Sequence, residues 1–130
     1  MVYLVMFAMI DGFSDFYNNI NMFYMALMMV APMALLMLLT MGSMYSNGMV
    51  NFFLYAGFIL LFVIALVFTR WQTFVGNEQF LRSMIPHHSG AILMCREAPV
   101  TDQEIKDLCA EIIRSQQEEI SRMKAILARY

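Results

Sequence analysis

The only two histidines of this 130-residue chain, His87 and His88, stand in the run Met84-x-x-His87-His88-x-x-x-x-x-Met94-Cys95. A second run, Gln116-x-x-Glu119-x-x-x-Met123, follows at the same three-and-four spacing. Imidazole suits copper, zinc, nickel and iron, while thioether and thiolate sulfur select Cu(I). Residues three and four apart share a helical face, so Met84 can close on one ion with either His87 or His88. His88 and Cys95 are two turns apart, about 10 Å, too far for one ion without another helix. A metal site built on these residues therefore needs ligands from a second helix or a second copy. The structural alternative is that His87 and His88 are core residues hydrogen-bonded to Glu119 and Gln116. Spacing alone leaves both open.

Two helices must position these residues. Asn77 is a candidate N-cap, and the first helix is expected to run to about Ala98, where Pro99 stops it. Thr101-Asp102-Gln103-Glu104 fits a capping box with Thr101 at the cap, and the second helix is expected to reach about Arg129. At 100° per residue, Phe80, Leu81, Met84, His87, His88, Ala91, Met94 and Cys95 fall on one arc of the first helix. Ile105, Leu108, Cys109, Ile112, Ile126, Leu127 and Tyr130 share an arc of the second, with Gln116, Glu119 and Met123 at its centre. A carboxylate and an amide within an apolar stripe are costly without partners. A hairpin of about 55 residues buries too little to hold itself together easily. Pairing two hairpins in a homodimer would close a four-helix bundle.

The rest of the chain is a different material. Residues 1–69 contain Asp11 and Asp15 but no Lys or Arg; all eight cations lie from Arg70 onward. A soluble domain carries about 25% charged residues, so this half is not a water-facing surface. The runs 22–42 and 50–69 each match the roughly 20 apolar residues that cross a bilayer. Ser46-Asn47-Gly48 supplies turn chemistry between them. Residues 1–70 thus read as a membrane-embedded region of two or three spans, and residues 74–130 as an α-hairpin domain. The segment 1–20 is open to three readings: a short span, an interfacial helix, or an extension of the first span. It lacks the basic n-region and small-residue cleavage site of a signal peptide. Met25, Met29, Met33, Met37 and Met41 recur every four residues, which fits helix packing by a flexible apolar side chain better than thioether ligation. Nothing in the charge distribution marks a nucleic-acid surface. No phosphate loop, Cys-x-x-Cys or nucleophile with an oriented base is present, so enzymatic turnover is not expected. Counted from the turn near residue 100, Cys109 lies about 6 Å beyond Cys95. No disulfide within the hairpin is expected, and both cysteines read as free.

The string Phe80-Leu81-x-x-Met84-Ile85-Pro86-His87-His88-x-x-Ala91-Ile92-x-Met94, with Ile113-x-x-Gln116-x-x-Glu119-Ile120-x-x-Met123, resembles the domain-of-unknown-function family numbered 305 over about residues 74–128. The resemblance implies an all-α, ferritin-like hairpin and a membrane-attached or secreted bacterial setting, which favours an extracytoplasmic domain. It also implies a copper ion, or another transition metal, held by His87, His88, Met84, Met94 and Met123 with Gln116 and Glu119. A donor or acceptor protein for the metal would follow. Cys95 stands where the family commonly has Ala. A di-iron centre would need Glu-x-x-His on two helices; Met84 and Ile85 occupy the positions three before the histidines. The expected protein is a membrane-anchored copper binder that sequesters or hands over its ion. The alternative is a structural or regulatory membrane module whose His/Gln/Glu network sets dimer packing without metal.

Overall fold

The computed structural model describes residues 1–42 and 47–130. Among these residues there are five α-helices and no strand: α1 (Val2–Val5), α2 (Ile20–Thr40), α3 (Gly48–Trp71), α4 (Asn77–Glu97) and α5 (Gln103–Leu127). Short 3-10 turns occupy Met6–Met9 and Phe13–Asp15. The chain divides into two compact units, one of residues 1–3 with 21–74 and one of residues 4–20 with 75–130.

In the first unit, α2 and α3 are each long and apolar enough to cross a membrane. Most of their apolar side chains, such as Leu36, Leu39, Phe52, Phe53 and Leu60, are exposed within the chain itself. A helix buried in a soluble core would have them covered. The methionine row is outward as well: Met25, Met29, Met33, Met37 and Met41 are all exposed. Asn47 caps α3, its side-chain oxygen accepting from the Met49 and Val50 amides. Ser46, the first residue of the expected turn, lies outside the described residues. Beyond α3, Gln72 takes a left-handed conformation, and the Thr73 amide closes on the Phe68 carbonyl. The Tyr24 hydroxyl donates to the Thr73 carbonyl at 2.9 Å, and its ring lies edge-on to Phe68. A buried hydroxyl needs such a partner.

In the second unit, α4 and α5 form the expected antiparallel hairpin. Ile85, Ile92 and Ile120 make its buried core, with Tyr17, Ile113, Met123 and Leu127 packed against it. The caps differ from expectation by one residue each. Gly76 precedes α4, so Asn77 is its first helical residue. Asp102, rather than Thr101, caps α5, accepting from the Glu104 and Ile105 amides. Its carboxylate also favours the positive end of the helix dipole.

Residues 4–20 are neither a short span nor an extension of the first one. They form no continuous helix and belong with the hairpin, where they cover one flank of α4. The approach is close: a Cβ on Gly90 would sit 3.2 Å from the Met9 carbonyl oxygen. Pro86, buried inside α4, cannot donate to the carbonyl four residues back. That carbonyl, on Arg82, accepts instead from the Asn19 side chain at 3.3 Å. The N-terminal segment therefore satisfies the backbone group that the proline frees.

Candidate functional site

Two polar clusters lie in the hairpin unit. The first is the predicted one. His88 is buried on α4, with Nδ1 2.8 Å from the Met84 carbonyl oxygen and Nε2 2.7 Å from Glu119 Oε2 on α5. A carbonyl only accepts, so Nδ1 carries a proton and donates. The His88 side chain is 10% exposed and that of Glu119 55%, so the pair reaches from the helix contact to its rim. Gln116 lies one turn before Glu119 on the same face of α5. Its Oε1 is buried without a hydrogen-bond partner, a vacant acceptor that commonly costs about 1–3 kcal/mol.

The remaining predicted residues divide. Met84 and Met123 are half-buried, and Met123 packs on the isoleucine core. His87 and Met94 face outward, Met94 with 61% exposure. The arc drawn from the sequence is therefore rotated. Leu81, Ile85, Ser89 and Ile92 mark the buried side of α4, and His87 and Met94 lie roughly 100–120° from His88 around the helix. The cause is the N-terminal segment, which buries the Ser89–Gly90 flank that the sequence reading left to solvent. The ring of His87 still lies 6.0 Å from that of His88, centroid to centroid. Among the described residues, no three His, Cys, Asp or Glu side chains come together as a metal-binding group.

The second cluster was missed. Ser89, fully buried, accepts from the Asp11 amide at 2.8 Å and donates to Asp15 Oδ2 at 2.7 Å. Lys124 of α5 donates to Asp15 Oδ1. Arg96 of α4 grips both carboxylate oxygens of Asp11, at 2.8 and 2.6 Å. Burial pushes the Asp15 carboxyl up, but the bonds from Lys124, Ser89 and Ser14 and the Lys124 charge outweigh it and hold the pKa below its ordinary value. The available signal was two acids stranded in a stretch without cations: such acids must find cations elsewhere in the chain.

The cysteines also depart from expectation. Both are free, yet they line one pocket of about 280 Å³ with Ala98, Val100, Lys106, Ala110 and Ile113. The neighbouring Cys109, then burial, pushes the Cys95 thiol up. The residue count assumed a symmetric turn. Instead Ala98 and Asp102 are extended, and an extended linker spans about 3.3 Å per residue. It carries the start of α5 past the end of α4, which brings Cys109 level with Cys95.

Residues 69–127 match the family model of a domain of unknown function, DUF305. An uncharacterized protein of Acanthamoeba polyphaga mimivirus is 35% identical over 119 residues, covering 90% of this chain and 76% of that relative. The chain belongs to one family with this relative, and its residues 69–127 carry the DUF305 match. A match over nine-tenths of the chain takes in the apolar half as well as the hairpin. No solved structure matches the chain.

Proposed function

We propose that the protein is a membrane-anchored metal-binding protein, with α2 and α3 in the bilayer and the ion held on the α4–α5 hairpin. His88 is the observation that carries this reading. A metal-ligating histidine typically donates its other ring N–H to a carbonyl or carboxylate, which fixes the ring and frees one nitrogen for the ion. Here Nδ1 is engaged with the Met84 carbonyl, and Nε2 is aimed at Glu119. Glu119 and the unsatisfied Gln116 Oε1 would supply oxygen, and the Met84 and Met123 thioethers lie one turn away along their helices. Copper suits this set best: imidazole and oxygen favour its divalent state, thioether its monovalent state. Admitting the ion would part the 2.7 Å His88–Glu119 contact. His87 and Met94, being exposed, stay outside the ligand set of one chain and are available to a second copy. A ferritin-like four-helix bundle formed by two hairpins would place them there. The role is sequestration or handover to a partner protein on the extracytoplasmic side, without turnover.

The test is a copper competition titration on the full chain in detergent micelles, with His88→Ala alongside. Stoichiometric uptake lost in the variant, and a melting temperature that rises with copper in the parent, is expected. Equal behaviour of parent and variant would overturn the reading. It would favour the second one, in which the closed His88–Glu119 contact is a packing element that sets the hairpin register. Under that reading Glu119→Gln lowers the metal-free melting temperature or changes the oligomeric state, and copper moves neither.

A further inference from the structure

We infer that Cys95 and Cys109 are a reversible dithiol–disulfide site, closed by exchange with a low-molecular-weight disulfide of the glutathione class. Three observations carry it. The two side chains come from different helices yet line one pocket of about 280 Å³. Both are half-buried and unbridged. The extended linker sets Cys109 level with Cys95, so closure needs no shift of one helix along the other. Lys106, on the same pocket wall, offers a cation to a thiolate or to a carboxylate of the entering disulfide.

The exchange balances in two steps. A thiolate at one cysteine attacks the small disulfide; a protein–glutathione sulfur–sulfur bond forms and one glutathione thiolate leaves. The second cysteine, as thiolate, attacks that mixed disulfide; the Cys95–Cys109 bond forms and a second glutathione thiolate leaves. The protein loses two protons and two electrons, and the small disulfide is reduced to two thiols. The bond would pin the end of α4 to the second turn of α5. It would thereby hold the same helix register that sets His88 opposite Glu119.

The test equilibrates the full chain in detergent with glutathione buffers of graded oxidised-to-reduced ratio. The samples are quenched with an alkylating reagent and weighed intact. The expected product is a monomer lighter by two hydrogens, carrying no alkyl group, whose digest contains one peptide joining Cys95 to Cys109. Cys95→Ser and Cys109→Ser are conservative, and each should stop at a stable mixed disulfide that the parent does not accumulate. Full alkylation of both cysteines at every ratio would overturn the inference. So would mixed disulfides persisting on both cysteines of the parent, or a bond formed only between chains.

Discussion

Asp15→Asn isolates the contact that ties residues 4–20 to the hairpin. The substitution keeps the side-chain shape and removes the charge that meets Lys124 and Ser89. Hydrogen bonds to charged groups contribute about 1.5–3 kcal/mol. Breaking a fully buried pair costs about 3–5 kcal/mol. Asp15 is nearly buried, but the Lys124 side chain is 31% exposed and can turn to water, so a value of about 2 kcal/mol is expected from the lower range. That is about a 30-fold rise in the local opening equilibrium, at 1.36 kcal/mol per factor of ten. Global melting would blur this, because α2 and α3 need not unfold in detergent. Native-state hydrogen exchange on the full chain reads the opening directly. Amides of Gly90, Ala91 and Ile92 in α4, and of Ile120 to Lys124 in α5, should exchange about 30-fold faster, while those of α3 stay unchanged. Lys124→Gln should produce much of the same effect, and the double variant should fall well short of the sum. Exchange within about threefold of the parent, or strictly additive variants, would refute the view that this pair holds the segment down.

Three further outcomes follow from the same geometry. Because the folded Asp15 carboxyl titrates below its ordinary value, its stabilisation is complete above the unfolded carboxylate range near pH 3.9 and is lost as pH falls through the lower folded value. Hydrogen exchange of α4 followed downward from pH 5 should show that loss in the parent and lack it in Asp15→Asn. Asp102→Ala removes the cap of α5 and should cost about 1 kcal/mol, seen as faster exchange at Glu104 and Ile105. Gln116→Leu deletes the orphaned acceptor, so the metal-free hairpin should be unchanged or more stable by about 1 kcal/mol; copper affinity should fall if Gln116 is a ligand, as a parallel titration would show.

The two candidate spans were legible because they rest on composition: each run has the roughly 20 apolar residues that crossing a bilayer requires. The place of residues 4–20, which pack with the hairpin, was not. The hairpin was legible for a related reason: Pro99, the acids near residue 102 and the 3.6-residue period are local signals. The contact of His88 with Glu119 was accessible too, since a carboxylate within an apolar stripe calls for a partner.

What lay beyond the sequence was decided by segments far apart along it. Which flank of α4 is buried depends on residues 4–20, whose contacts with Ser89, Arg96 and Lys124 span 74 to 109 positions. No local period encodes such a contact, so the helical spacing places His87 and Met94 inward although the covered flank lies on the other side. The Cys95–Cys109 register likewise follows from an extended linker that shifts one helix along the other. Residue types and spacing determined that this is an apolar region joined to a helical hairpin that carries imidazole, thioether and carboxylate side chains. Tertiary packing decided which of those side chains meet, because the rotation and offset of two helices are set by everything that covers them.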